Sequence, residues 1–247
     1  MSGSSWPAVE RQPTRRGGLV LKEDQAAAAA FTLVELLVVV AILAVLAGLM
    51  LPALSRAKAK VRGMVCLGNL KQWGLATQLY TADHDDFLPP EGDPSPDDRT
   101  VGSGWYVALP RMLSLKPLHE LPWRTNAAAV LDRSIWICPS NTNRSNGRNL
   151  FHYCLNEHVD GTGEDDRPTR ISAVTRPAEV VWLFDNGRRA AVAQQNNVHT
   201  NLHSHGAQFT FVDGHARRFQ NTDYWDFLEQ KGRTNHPSIV WMPSLDP

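Results

Sequence analysis

Residues 26–54 read AAAAAFTLVELLVVVAILAVLAGLMLPAL, and this stretch decides the fold. From Phe31 to Leu54 the one ionisable side chain is Glu35. Two dozen helical residues at about 1.5 Å rise span roughly 30 Å of hydrocarbon, the thickness of a bilayer core. The run exceeds the apolar region of a signal peptide, and Arg56, Lys58, Lys60 and Arg62 follow it. A carboxylate at the centre of a membrane helix costs about 2.5–3.5 kcal/mol on insertion scales, and intramembrane ionisable groups as a rule have a partner. An ordinary anchor that tolerates a glutamate near its end is the plainer reading. The partnered reading needs a nearby cation, and the simplest is a new amino terminus made by cleavage just before Phe31. Arg11, Arg15, Arg16 and Lys22 precede the span, so basic residues flank both ends and charge alone does not orient it.

Beyond this segment the composition describes a folded body. The chain has 247 residues, and 25 Lys+Arg balance 25 Asp+Glu. Net neutrality argues against nucleic acid as a bulk electrostatic partner. Apolar residues at 43% can build a core, while 16 Pro and 17 Gly indicate many loops. Three cysteines, Cys66, Cys138 and Cys154, do not make an even framework. Outside the cytoplasm one pair is expected to oxidise. Cys138 and Cys154 are nearest in the chain and form the expected disulfide, although sequence does not fix the pairing.

The helix is expected to continue past the span. Val61, Met64/Val65, Leu67, Leu70, Trp73, Ala76 and Tyr80 recur at three-to-four spacing, a core-facing stripe. Pro52 is expected to kink the helix without ending it. Residues 81–100, TADHDDFLPPEGDPSPDDRT, form an acidic, Pro-rich surface loop; Ca²⁺ is a conceivable guest, but the EF-hand pattern is absent. SGWYVALPRML and RSIWICPSN read as short strands or turns, 141–149 as loop, and AEVVWLFDNG (178–187) as a buried strand. QFTFVDGHARRF (208–219) is a hairpin, with Asp213-Gly214 suited to a type I′ turn. The fold class is α+β: a long N-terminal helix, transmembrane in its first half, packed on a small antiparallel sheet.

Near the C-terminus, His203, His205, Asp213 and His215, with Asp185, are the residues able to converge at one end of that sheet. Histidine with carboxylate suits a divalent transition metal, so His203, Asp213, His215 and Asp185 are candidate ligands. The simpler reading gives Asp213-Gly214 the turn and His203 a hydrogen bond that pins the incoming loop. No nucleophile elbow, H-E-x-x-H, Walker loop or G-x-G-x-x-G is present. The expectation is therefore a non-enzyme without a cofactor, the divalent metal being the one candidate ligand.

The segment FTLVELLVVVAILAVLAGLMLPAL resembles the N-terminal cleavage and methylation segment of type IV prepilins and type II secretion pseudopilins. The resemblance implies a prepilin peptidase cut between Ala30 and Phe31, N-methylation of Phe31, and a meeting of Glu35 with the new N-terminus of a neighbouring subunit. The family usually carries Gly where this chain has Ala30. His203, nine intervening residues and Asp213-Gly214 resemble the H-x9-D-G element of a large pseudopilin-like family. That family also shows passages like CLGNLKQWGLATQLYTADHDDFLP (66–89) and WICPSN (136–141).

The resemblance implies a cytoplasmic leader at 1–30, a transmembrane half of the helix at 31–54, its extracytoplasmic half at 55–80 and a globular head at 81–247. It implies a single-pass protein of the cytoplasmic (inner) membrane with a periplasmic or extracytoplasmic head. Its partners would be prepilin peptidase and other pilin or pseudopilin subunits, assembled into a pilus or pseudopilus. The alternative is a membrane-tethered extracytoplasmic module that binds a glycan or divalent cation and uses the segment for targeting only. In that reading Trp105, Trp123, Trp225 and Trp241 are candidate exposed contacts.

Overall fold

A computed structural model describes residues 32–92, 104–132, 134–159 and 169–243. The chain divides into two compact units, Met1–Leu49 and Met50–Pro247. One helix, α1 (Leu33–Asp83), contributes to both and runs through Pro52.

In the first unit, α1 is apolar on every face. Its residues up to Leu49 are all exposed, including Leu36, Val40, Leu43 and Leu46. The helix is long and apolar enough to cross a membrane. A helix hydrophobic all round needs an apolar surrounding.

In the second unit, the buried face of α1 begins at Gly63 and continues through Cys66, Asn69, Leu70, Trp73, Gly74, Ala76, Thr77 and Thr81. Leu70, Trp73 and Ala76 belong to the expected stripe, but Val61, Met64 and Val65 are exposed. The true face is rotated toward smaller residues because the sheet approaches the helix backbone closely. Gln208 Nε2 donates to the Gly63 carbonyl at 2.7 Å, and Thr210 Oγ1 to that of Leu70 at 3.0 Å.

Five strands make the main sheet: β1 (Tyr153–Asn156), β2 (Val181–Asp185), β3 (Val192–Ala193), β4 (Gly206–Phe211) and β5 (Ala216–Gln220), in the order β3-β1-β2-β4-β5. All pairs are antiparallel except β1 with β3. The sheet is thus antiparallel-rich but mixed, and the fold is a pilin-like α+β arrangement. Side-chain alternation divides the core. Gln208, Thr210 and Val212 meet α1 or join the core on its side, while Ala207, Phe209 and Phe211 join a second cluster with Tyr224, Ile239 and Trp241. Trp182 donates to Thr77 Oγ1 at 2.8 Å, a further tie between sheet and helix.

Two local expectations change. Trp105–Met112 is a helix, α2, and not a strand. Its Trp105, Tyr106, Val107 and Leu109 are buried, and Trp105 packs edge-on against Trp73 at 5.7 Å. Burial of this apolar group overrides the β preference of Trp-Tyr-Val. The hairpin forms, but Asp213 is absent from the residues with positive φ, whereas Gly214 has φ +88°. Gly214 N–H donates to Phe211 O and Phe211 N–H to His215 O. This is the three-residue loop with a left-handed glycine, and not the two-residue type I′ turn.

Candidate functional site

The start of α1 explains the glutamate locally. Thr32 precedes the first helical residue and Glu35 lies three positions on. Glu35 Oε2 accepts from the Thr32 N–H at 2.9 Å and from Thr32 Oγ1 at 2.7 Å, while the Glu35 N–H donates to Thr32 Oγ1 at 3.2 Å. This is a reciprocal capping box, which satisfies donors that a helix start otherwise leaves open. The pattern Thr32-x-x-Glu35 was available in the sequence as that signal. Ala30 and Phe31, the residues flanking the expected cut, lie outside the described residues, as does the leader.

The second site lies under β4, where the chain reverses before the strand. His203, Ser204 and His205 have φ of 48°, 61° and 61°. The Gly206 N–H closes this turn on the Leu202 carbonyl at 2.8 Å. Left-handed conformation costs L-residues roughly 1–2 kcal/mol each, and non-glycine residues seldom adopt it in succession. Arg218 holds the turn, its Nε donating to His203 O at 2.8 Å and a terminal nitrogen to Ser204 O at 2.7 Å.

The turn drives the His203 ring into the interior. His203 Nε2 lies 3.1 Å from Asp185 Oδ2, with side chains 1% and 0% exposed, and 3.5 Å from Cys138 Sγ. Asp185 stands at the end of β2 and also accepts the Gln208 N–H at 2.8 Å. Cys138 is disulfide-bonded to Cys66 on α1, with Cα atoms 5.0 Å apart.

This replaces the expected Cys138–Cys154 pairing. Cys154 points to the far face of the sheet, into the cluster of Phe184 and Phe209, while Cys66 and Cys138 lie on the helix side. The strand's alternation puts Cys154 out of reach. Cys154 is a buried free thiol whose pKa burial pushes well above the usual range, with the negative charge of Asp185 adding to the effect.

The four expected metal ligands do not converge. His203 and Asp185 meet before β4, but Asp213 and His215 sit at the hairpin loop after it. There His215 Nδ1 lies 2.6 Å from Asp213 Oδ1, both half-exposed, and the ring stacks on Phe211. Six residues of extended strand separate the pairs. His205 is exposed. The residues missed by sequence reasoning are the cysteines, which close the His203–Asp185 pair into one cluster.

The H-x9-D-G spacing also has a structural meaning. His203 meets α1 at Gly63, where an added Cβ would lie 3.3 Å from Nδ1. The hairpin loop meets it at Gly74, where an added Cβ would lie 2.2 Å from the Gly214 carbonyl oxygen. Gln78 Nε2 donates to Val212 O at 2.9 Å beside that contact. Asp213-Gly214 therefore docks on the helix as well as turning the chain.

Three of the four Trp offered as exposed contacts, Trp105, Trp123 and Trp241, are at most 2% exposed, and Trp225 is half-buried. They are core residues.

The fold is pilin-like, and its N-terminal helix is capped and is long and apolar enough to cross a membrane. In agreement, residues 26–51 match the prokaryotic N-terminal methylation motif, a prepilin-type segment. The match covers the start of the chain and supports a type IV pilin-like family. No curated protein and no solved structure matches the chain.

Proposed function

We propose that the chain is a prepilin-like structural subunit, cut before Phe31 by a prepilin peptidase on the cytoplasmic side. In this reading residues 1–30 are the leader, 31–54 span the inner membrane, 55–80 continue the helix outside and 81–247 are the head. Mature subunits associate through their helices in a pilus or a type II secretion pseudopilus. The match of residues 26–51 to the methylation motif carries this reading.

Glu35 has two roles in it. Before assembly its carboxylate is held by Thr32. In the assembly it accepts the amino terminus of a neighbouring Phe31 and sets the register. Such an ion pair adds little net stability, but an unpaired charge in a helix bundle is costly, which is how it selects position. The test is Glu35→Val. The variant is expected to insert in the membrane at the wild-type level and to be missing from the assembled fraction that carries like subunits. Normal incorporation of the variant would exclude Glu35 as the register element.

A further inference from the structure

The Cys66–Cys138 bond and His203 bring three donors of a metal site together, and Asp185 stands beside the histidine as the nearest fourth. We propose that, when the disulfide is reduced, Cys66, Cys138, His203 and Asp185 bind one zinc-type divalent ion, so that disulfide and metal centre are alternative states of the same cluster. The inference is independent of whether the chain assembles into filaments.

The geometry carries it. The two sulfurs and a ring nitrogen of His203 all lie within 4.8 Å of one another, and all three residues are buried. Asp185 Oδ2 is 3.1 Å from His203 Nε2. Two sulfurs, one imidazole nitrogen and one carboxylate oxygen are a tetrahedral zinc donor set, with Zn–S near about 2.3 Å and Zn–N near about 2.0 Å. Sulfurs on such an ion stand about 3.8 Å apart, a modest opening for two side chains whose Cα atoms are already 5.0 Å apart.

Among the described residues, Asp185 Oδ1 and His203 Nδ1 are fully buried without a hydrogen-bond partner. Buried polar atoms are nearly always satisfied, and exceptions call for a reason. A carboxylate that turns its free oxygen to the ion gives Asp185 one. The left-handed run at 203–205 fits the same account, since strain of this kind is kept where it places a side chain. Of the four residues, His203 borders a cavity. This cavity of about 550 Å³ is lined by Gly63, Met64, Leu67, His203, Gln208 and Arg218 among others.

The chemistry balances simply. A dithiol reductant gives two electrons and two protons to the Cys66–Cys138 bond and is itself oxidised to a disulfide. Metal uptake then displaces the two thiol protons to solvent, as thiolate ligation requires. Which state prevails follows the redox poise of the compartment.

The test uses the full chain in detergent, reduced with a phosphine under anaerobic conditions or left oxidised. Zn²⁺ stoichiometry is measured after desalting, and Co²⁺ serves as a spectroscopic probe. The reduced chain is expected to hold one Zn²⁺ and to give sulfur-to-cobalt charge-transfer absorption, while the oxidised chain does neither. Cys66→Ser and His203→Gln are expected to abolish stoichiometric binding, and His215→Gln, at the separate exposed pair, to retain it. Circular dichroism of each variant separates lost binding from lost folding. The wild-type comparison needs no variant. Absence of charge transfer in the reduced wild type, or equal Zn²⁺ uptake by the oxidised chain, would overturn the proposal.

Discussion

Gly68 and Gly74 lie on the same helix and predict opposite outcomes for the same substitution. In a helix interior, Gly→Ala normally stabilises by about 0.8–1.0 kcal/mol. An added Cβ at Gly68 meets nothing within 4 Å, so Gly68→Ala is expected to gain that amount. At Gly74 the Cβ would stand 2.2 Å from the Gly214 carbonyl oxygen and 3.0 Å from its Cα, backbone on backbone. Forcing the loop away costs about 1–3 kcal/mol as overpacking, and the Gln78–Val212 hydrogen bond beside it is worth about 0.5–1.5 kcal/mol. Setting the helix gain of about 1 kcal/mol against these leaves a net loss of about 0.5–3.5 kcal/mol. For a domain of this size each kcal/mol moves Tm by about 2–4 °C. In thermal unfolding of the full chain in one detergent, Tm should therefore rise for Gly68→Ala and fall for Gly74→Ala. A Gly74→Ala protein as stable as wild type would refute the docking of the Asp213-Gly214 loop on the helix.

Two further outcomes follow from the interior. Reducing the Cys66–Cys138 bond, which closes a sequence separation of 72 residues, should cost about 4 kcal/mol on the chain-entropy estimate. A urea midpoint unmoved by reductant in the presence of chelator would contradict the pairing. His152 should make stability pH-dependent. Burial holds its pKa below the ordinary imidazole value near 6.5, although the carbonyl of Asn143 works the other way. Its Nδ1 accepts the Cys138 N–H at 3.1 Å, a contact that protonation would turn repulsive. With the folded pKa depressed, the unfolded chain binds more protons as pH falls, so stability is full above about pH 6.5 and drops as pH falls through the folded value. Stability measured between pH 7 and 5 should decline, and His152→Gln should flatten part of the slope; a flat wild-type profile would argue against a neutral buried His152.

Much of this fold was legible because its signals are local. The apolar run from Phe31 to Leu54 announces its helix, and β2 shows as the unbroken apolar run ending at Asp185. The Asp213-Gly214 hairpin follows from turn chemistry, although its loop length did not, because one glycine suits both loop types. The buried face of α1 beyond the span was misphased. Gly63, Cys66, Asn69 and Thr77 are small or polar and carry little hydropathy signal, yet they face the sheet because its side chains reach the helix backbone. α2 was misread because its Trp-Tyr-Val start is β-prone and only tertiary burial makes it helical. At the site, the pairing of His203 with Asp185 was within the sequence reading, but its completion by Cys66 and Cys138 was not. Those residues lie 65 and more positions from His203, and no spacing rule links a helix, a Cys-Pro turn and a strained loop.

The mature N-terminus is the most direct test of the central claim. Intact mass and terminal sequencing of membrane-extracted protein are expected to show a chain that begins at N-methylated Phe31. A chain that still begins at Met1 would leave Glu35 without the amine it is proposed to meet and would contradict prepilin processing.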